Sequence, residues 1–231
     1  PPARVPAAGD RPSAIVPHTV GMRPVPLSAL IVVLAALLAG CQSVEYAVKE
    51  KFGIHKRDIL VARVQDARRA QDEARAQFAN ALEEFIAVTG NTGGPLADKY
   101  AKLQREFTRS ETRATAVRDR IAEIERVARA LFKEWRAELD VYRDPALRRL
   151  SEQQLATTEQ RYATLAAALH RAAATMDPVL DRFRDQVLFL KHNLNARAIA
   201  QLDTNHRQLQ SEIGRLIAEM EASIREADAF L

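Results

Sequence analysis

The sequence predicts an all-α protein of long antiparallel helices forming an elongated, coiled-coil-like bundle. Three observations carry that expectation. Ala and Leu dominate an apolar fraction of 47%, and aromatics are only 6%; Ala and Leu favour helix, whereas strands draw on β-branched and aromatic residues. Glycine is scarce, at 8 residues in 231. Beyond residue 60 the apolar positions recur at steps of four and three, the period of a helix face.

The first expected helix, about 59–89, carries Leu60, Val64, Ala67, Gln71, Ala74, Phe78, Ala81, Phe85 and Val88 on one stripe, with a single polar member. Thr89-Gly90-Asn91-Thr92-Gly93-Gly94-Pro95 is a turn, and Pro95 suits the first position of the next helix. That helix, about 95–142, repeats Leu96, Tyr100, Leu103, Phe107, Ser110, Ala114, Val117, Ile121, Ile124, Ala128, Leu131, Trp135 and then Tyr142. A 3.5-residue repeat over about six heptads implies a rod of ~70 Å supercoiled against a partner, here the first helix folded back. Asp144-Pro145 starts a third helix, about 145–176, with Asp as cap and Pro at its first position. Asp177-Pro178 repeats the signal without a loop, so a kink and a turn are both open there. A segment 178–203 carries Phe183, Val187, Leu190, Leu194, Ala198 and Leu202, whose extra step of four reads as a stutter. Asp203-Thr204-Asn205 is the next expected turn, before a last helix at 205–230 with Leu209, Ile213, Leu216, Met220, Ala227 and Phe230.

The N-terminal part reads as an address. Residues 28–39 are a short uncharged apolar run preceded by Arg23, too short for the ~20 residues of a membrane span. With the small residues that follow, these are the parts of a secretory signal peptide. The run ends in Leu38-Ala39-Gly40-Cys41, which resembles a bacterial lipobox. The resemblance implies cleavage between Gly40 and Cys41, a diacylglycerol on the Cys41 thiol and acylation of the new amino group. Three chains anchor stably where one holds only marginally. Cys41 is the only cysteine, so no internal disulfide competes for it. Gln42 follows, and the absence of Asp there resembles the Gram-negative signal for transfer to the outer membrane. The expected organisation is therefore a spurious or disordered leader at 1–21 with translation starting at Met22, a signal peptide at 22–40, a lipid-anchored linker at 41–58, and a helical domain at 59–231.

Charge excludes little and promises little. The net +4 is half carried by Arg4, Arg11, Arg23 and Asp10, ahead of Cys41. No dense basic block points to nucleic acid. Lys49, Lys51, His55, Lys56 and Arg57 form a basic cluster near the anchor that suits anionic headgroups or a plain solvated linker.

One constellation interrupts the apolar pattern: Asp185, Gln186, Lys191, His192, Asn193, Asn195 and Arg197. On a continuous helix Gln186, Asn193 and Arg197 share a face. They can bind a carboxylate or sugar, or form a buried polar layer that fixes register. His55, His170, His192 and His206 lack metal-ligand spacing, so no metal is expected. His206 falls in phase with the last stripe and reads as partly buried. Glu83-Glu84 and Glu134 with Glu138 are the only catalytic carboxylate pairs worth naming, and helix surfaces are full of such pairs. No phosphate loop or nucleophile elbow occurs.

Three segments also resemble a bacterial family catalogued as domain-of-unknown-function family 2959. They are His55-Lys56-Arg57-Asp58-Ile59-Leu60-Val61, Leu131-Phe132-Lys133-Glu134-Trp135 and the long stretch from Phe183 to Ala198. The resemblance covers nearly all of the chain after Cys41. It implies all-helical exported proteins, often lipoproteins, and carries over no activity and no catalytic residue.

The resulting expectation is an outer-membrane lipoprotein facing the periplasm, a non-enzymatic helical scaffold or spacer. It needs no cofactor beyond the acyl chains on Cys41. Its partners are membrane lipid and either itself or an envelope protein, with no nucleic acid. Two alternatives stand beside it: a BAR-like membrane-curvature module, and a small-ligand or cell-wall binder using the 185–197 cluster.

Overall fold

The computed structural model describes residues 55–90, 93–193 and 196–231. They form four helices, α1 (Lys56–Gly90), α2 (Leu96–Glu138), α3 (Pro145–His192) and α4 (Ala196–Phe230), with one 3-10 turn at Leu139–Val141. The described residues contain no strand. Each helix packs chiefly on two others: α1 on α2 and α4, α3 on α2 and α4. The ring encloses one core, the up-down arrangement of antiparallel bundles.

The stripes explain why. All nine stripe residues of α1, Gln71 included, are buried. In α2 the stripe from Leu103 to Ala128 is buried too. Phe85, Phe107 and Phe183 bring three helices together in one layer. Phe183 meets the other two rings edge-on, with centroids 6.1 and 5.8 Å away, a favoured aromatic geometry.

The ends of the helices are tied by named groups. Gly94 takes φ 86° in the α1–α2 turn, a conformation other residues adopt at a cost. Pro95 stands just before α2 and serves as its N-cap residue. The buried Lys99 donates from Nζ to the Val88 carbonyl at 3.1 Å, meeting one of the carbonyls that the end of α1 leaves without a helical partner. At the start of α3 Asp144 accepts from the Ala146 and Leu147 amides at 2.7 and 3.4 Å, with Pro145 at the first position as expected.

Two boundaries differ from the sequence expectation. No helix starts at Pro178; α3 runs through it. An internal proline costs a helix ~3 kcal/mol, but Met176, Val179, Leu180 and Phe183 are all buried around it. Their packing holds the helix together, and Asp177 pairs with Arg118 of α2 instead of capping. The turn expected at 203–205 lies inside α4, and the chain reverses between His192 and Ala196. Asn193 leaves the helix with φ −128° and ψ 59°. Its amide reaches the Phe189 and Leu190 carbonyls at 3.1 and 3.2 Å, and its Nδ2 donates to Phe189 at 2.9 Å. The helices expected at 145–176, 178–203 and 205–230 are thus two, and the apparent stutter is the join between them. The second helix also ends at Glu138 rather than at 142.

The helices are unequal. α2 and α3 have 43 and 48 residues, while α1 and α4 have 35 each. Lys56, at the start of α1, pairs with Glu134 at 2.9 Å. Near the end of α4, the Ala229 carbonyl accepts from Arg161 at 2.6 Å. Beyond that level α2 adds only residues 135–138 and the 3-10 turn, and they meet the first turns of α3 in a short hairpin tip. The Trp135 indole donates to Ser151 Oγ at 2.8 Å across the hairpin, and Phe132 meets Tyr162 at 5.5 Å at its root.

Candidate functional site

The lipobox residues Gly40 and Cys41, and the linker up to Ile54, lie outside the described residues, as does Asn195. The remaining polar cluster is not a single helix face. The break between His192 and Ala196 puts Arg197 on α4 and Gln186 on α3. Asp185, Lys191 and His192 are exposed, and Gln186 and Asn193 are half-buried. The cluster is therefore no buried register layer. Asn193 shapes the end of α3, and the other described members dress the turn beside the exposed Leu188 and Phe189. Arg184, in the same segment, lies 5.6 Å over the Phe107 ring and pairs with Glu111 at 3.2 Å.

A buried polar pair does exist elsewhere, between α1 and α4. Gln71 Nε2 donates to Ser223 Oγ at 3.0 Å, both side chains being fully buried. Gln71 Oε1 has no hydrogen-bond partner among the described residues. Sequence patterning placed Gln71 on the α1 stripe but left Ser223 out of the α4 stripe, because a serine carries no apolar signal.

The carboxylates considered for catalysis act as ion-pair partners: Glu84 with Lys102 at 3.2 Å and Glu134 with Lys56. His170 sits on the outside, 2.7 Å from Glu125. His206 is half-buried, as its phase suggested. Among the described residues no three metal-binding side chains converge. Tyr162 titrates above its ordinary value of 10.0, first because it is buried and second because the Glu125 carboxylate is near.

The two ends of the bundle differ in chemistry. The α1–α2 end holds a shallow cleft of about 390 Å³ lined by Glu84, Gly94, Pro95, Asp98 and Lys102. At the opposite end a cleft of about 280 Å³ opens where α1 begins and α4 ends, lined by Arg57, Leu60, Trp135, Arg161 and Phe230. Below it lies the hairpin tip, where residues 140–150 are exposed without exception. Sequence reasoning set Tyr142 on the core stripe and passed over Leu147 and Leu150. The overlooked signal was length, since α2 and α3 outrun the helices that would cover them.

The family model described as "Protein of unknown function (DUF2959)" matches residues 45–231. No curated protein and no solved structure matches the chain.

Proposed function

The chain belongs to this family of unknown function, and on that premise we propose that it is an outer-membrane lipoprotein whose helical domain acts as a non-enzymatic scaffold or spacer in the periplasm. One observation carries the reading: the motif Leu38-Ala39-Gly40-Cys41 closes a short apolar run and contains the sole cysteine. The bundle supports the spacer half. Its apolar stripes pair within one chain, and Arg–carboxylate pairs dress its flanks, among them Arg184–Glu111 at 3.2 Å and Arg75–Glu221 at 3.8 Å. Exposed pairs of this kind add little stability, and they suit a rod standing in water. A core closed within one chain favours a spacer over a BAR-like module, which pairs its long helices as a dimer.

The test is metabolic labelling with an alkyne fatty acid in a Gram-negative host, followed by separation of the two membranes by density. Label on the native chain in the outer-membrane fraction, absent from Cys41→Ser, is the expected result. An unlabelled native chain, or equal label on Cys41→Ser, refutes the anchor. A stoichiometric cofactor in protein purified from native membranes overturns the non-enzymatic half.

A second reading is favoured by the α3–α4 turn, where the exposed Leu188, Phe189, Lys191 and His192 stand together. There the distal end of the rod would hold an envelope ligand or partner. Loss of phenotype in Lys191→Ala/His192→Ala at unchanged thermal stability supports it; an unaltered phenotype removes it.

A further inference from the structure

Of the eight exposed large apolar side chains among the described residues, five lie at one end of the bundle: Val141, Tyr142, Leu147, Leu150 and Leu231. Four of these occupy the hairpin tip, with 76, 42, 53 and 54% of their surface exposed in that order. Leu147 and Leu150 stand three apart on the first turns of α3, on one face.

Three arginines are interleaved with them. Arg148 pairs with Asp140 at 3.2 Å and Glu152 at 2.9 Å. Arg143 and Arg149 pair with no carboxylate among the described residues, and both are exposed. Asp144 is engaged with the amides that open α3. The tip therefore presents apolar and aromatic side chains with Arg143 and Arg149 outside any ion pair, while Glu138, Asp140, Asp144 and Glu152 keep the segment as a whole from being basic. Apolar groups of this kind rest below the headgroups of a bilayer interface, with arginines reaching the phosphates.

The direction of the chain supplies the second argument. α1 begins at Lys56, alongside Glu134 and so at the hairpin end of the bundle. Cys41 precedes Lys56 by 15 positions, and a chain of that length spans at most about 50 Å even when fully extended. An anchor at Cys41 thus joins the bundle at its hairpin end, where α1 begins.

We infer that the α2–α3 hairpin tip docks on an anionic phospholipid surface through Val141, Tyr142, Leu147 and Leu150, with Arg143 and Arg149 on the headgroup phosphates. This rests on the lipoprotein reading, which supplies the membrane and its side. Docking gives the anchored rod a second foothold, so that it stands at a fixed inclination rather than swinging on its linker.

The experiment uses the full chain carrying Leu147→Cys, or Asp98→Cys at the opposite end, each modified with a nitroxide. Acylation of Cys41, checked by mass of the N-terminal peptide, leaves the introduced thiol as the only one to label. The protein is reconstituted into phosphatidylcholine vesicles with and without phosphatidylglycerol. The label at 147 is expected to gain collisions with oxygen and lose collisions with an aqueous nickel chelate, more so with phosphatidylglycerol, while the label at 98 stays in water. Arg143→Gln/Arg149→Gln, both at exposed positions, should lower the docking equilibrium constant by roughly 20- to 30-fold.

Acylated Cys41 with label 147 as wet as label 98 overturns the inference and leaves the anchor standing. Unacylated Cys41, with label 147 still docking on vesicles in a Cys41→Ser background where it is again the only thiol, refutes the anchor and keeps the tip. Shielding of label 147 in native outer membranes but not in vesicles assigns the tip to a protein partner, and the lipid inference fails.

Discussion

The Gln71–Ser223 pair offers a measurable test of how dry the α1–α4 seam is. In Ser223→Ala the Gln71 amide loses its one partner at 3.0 Å while its Oε1 already lacks one. Both ends of a fully buried amide are then unmet. The lost bond is worth about 1 kcal/mol, and stranding the donor raises the cost to about 1–3 kcal/mol. Adding Gln71→Met replaces the amide with an unbranched apolar chain of similar length. The double variant keeps the shape and removes every unmet group. Apolar replacement of a buried polar pair is neutral to stabilising, so the double variant should stand at or about 1 kcal/mol above the parent. Urea unfolding followed by circular dichroism measures all four corners of the cycle, with the slope checked for constancy. A harmless Ser223→Ala would mean that water reaches the seam. A double variant less stable than Ser223→Ala alone would mean that the amide stabilises the bundle through a contact other than Ser223. Either result refutes the reasoning.

Three further outcomes follow from the same packing. Phe183→Ala empties the layer shared with Phe85 and Phe107 and should cost about 3–5 kcal/mol in urea unfolding; a loss below about 1 kcal/mol would contradict a close-packed layer. Pro178→Ala restores a backbone donor inside α3 and should stabilise by about 1–3 kcal/mol, read as a raised unfolding midpoint. Tyr162 is held protonated above its unfolded value, so its contribution is whole below pH 10 and is lost as pH rises through the higher folded value. Alkaline unfolding curves of Tyr162→Phe should lack that decline, and identical curves would remove Tyr162 as its source.

How far the sequence could be read depended on what each helix has beside it. The α1 stripe from Leu60 to Val88 was legible to its last residue because every member of it is buried against the neighbouring helices. The α2 stripe was legible to Ala128 and then drifted. Leu131 and Trp135 are only half-buried, Val127 and Phe132 take over, and Tyr142 is exposed. A 3.6-residue helix walks off a 3.5-residue stripe, and past Glu134 α1 is no longer there to hold it. The reversal at Asn193 was hidden because the spacing Phe183, Val187, Leu190 and Leu202 stays apolar on both sides of it. Two helices facing one core repeat the same pattern, and a short join between them changes its phase too little to show. The polar cluster inherited that error, since a shared face for Gln186 and Arg197 presumed an unbroken helix. The tip stayed invisible for a different reason: exposure depends on where α1 and α4 stop, which no property of Leu147 or Leu150 records.

The ring also sets an order of assembly. α1 meets α2 through residues as close as Gln77 and Glu106, 29 apart. α1 meets α4 through Gln71 and Ser223, 152 apart. By the logarithmic law for closing a flexible loop, the second contact costs about 1.5 kcal/mol more in chain entropy than the first. The neighbouring hairpins therefore form early and the α1–α4 seam closes last, after all three reversals are in place. The same seam is where the ring opens first. Amides of α4 facing α1 should exchange with solvent water ahead of those that α3 turns toward α2 at the Phe183 layer.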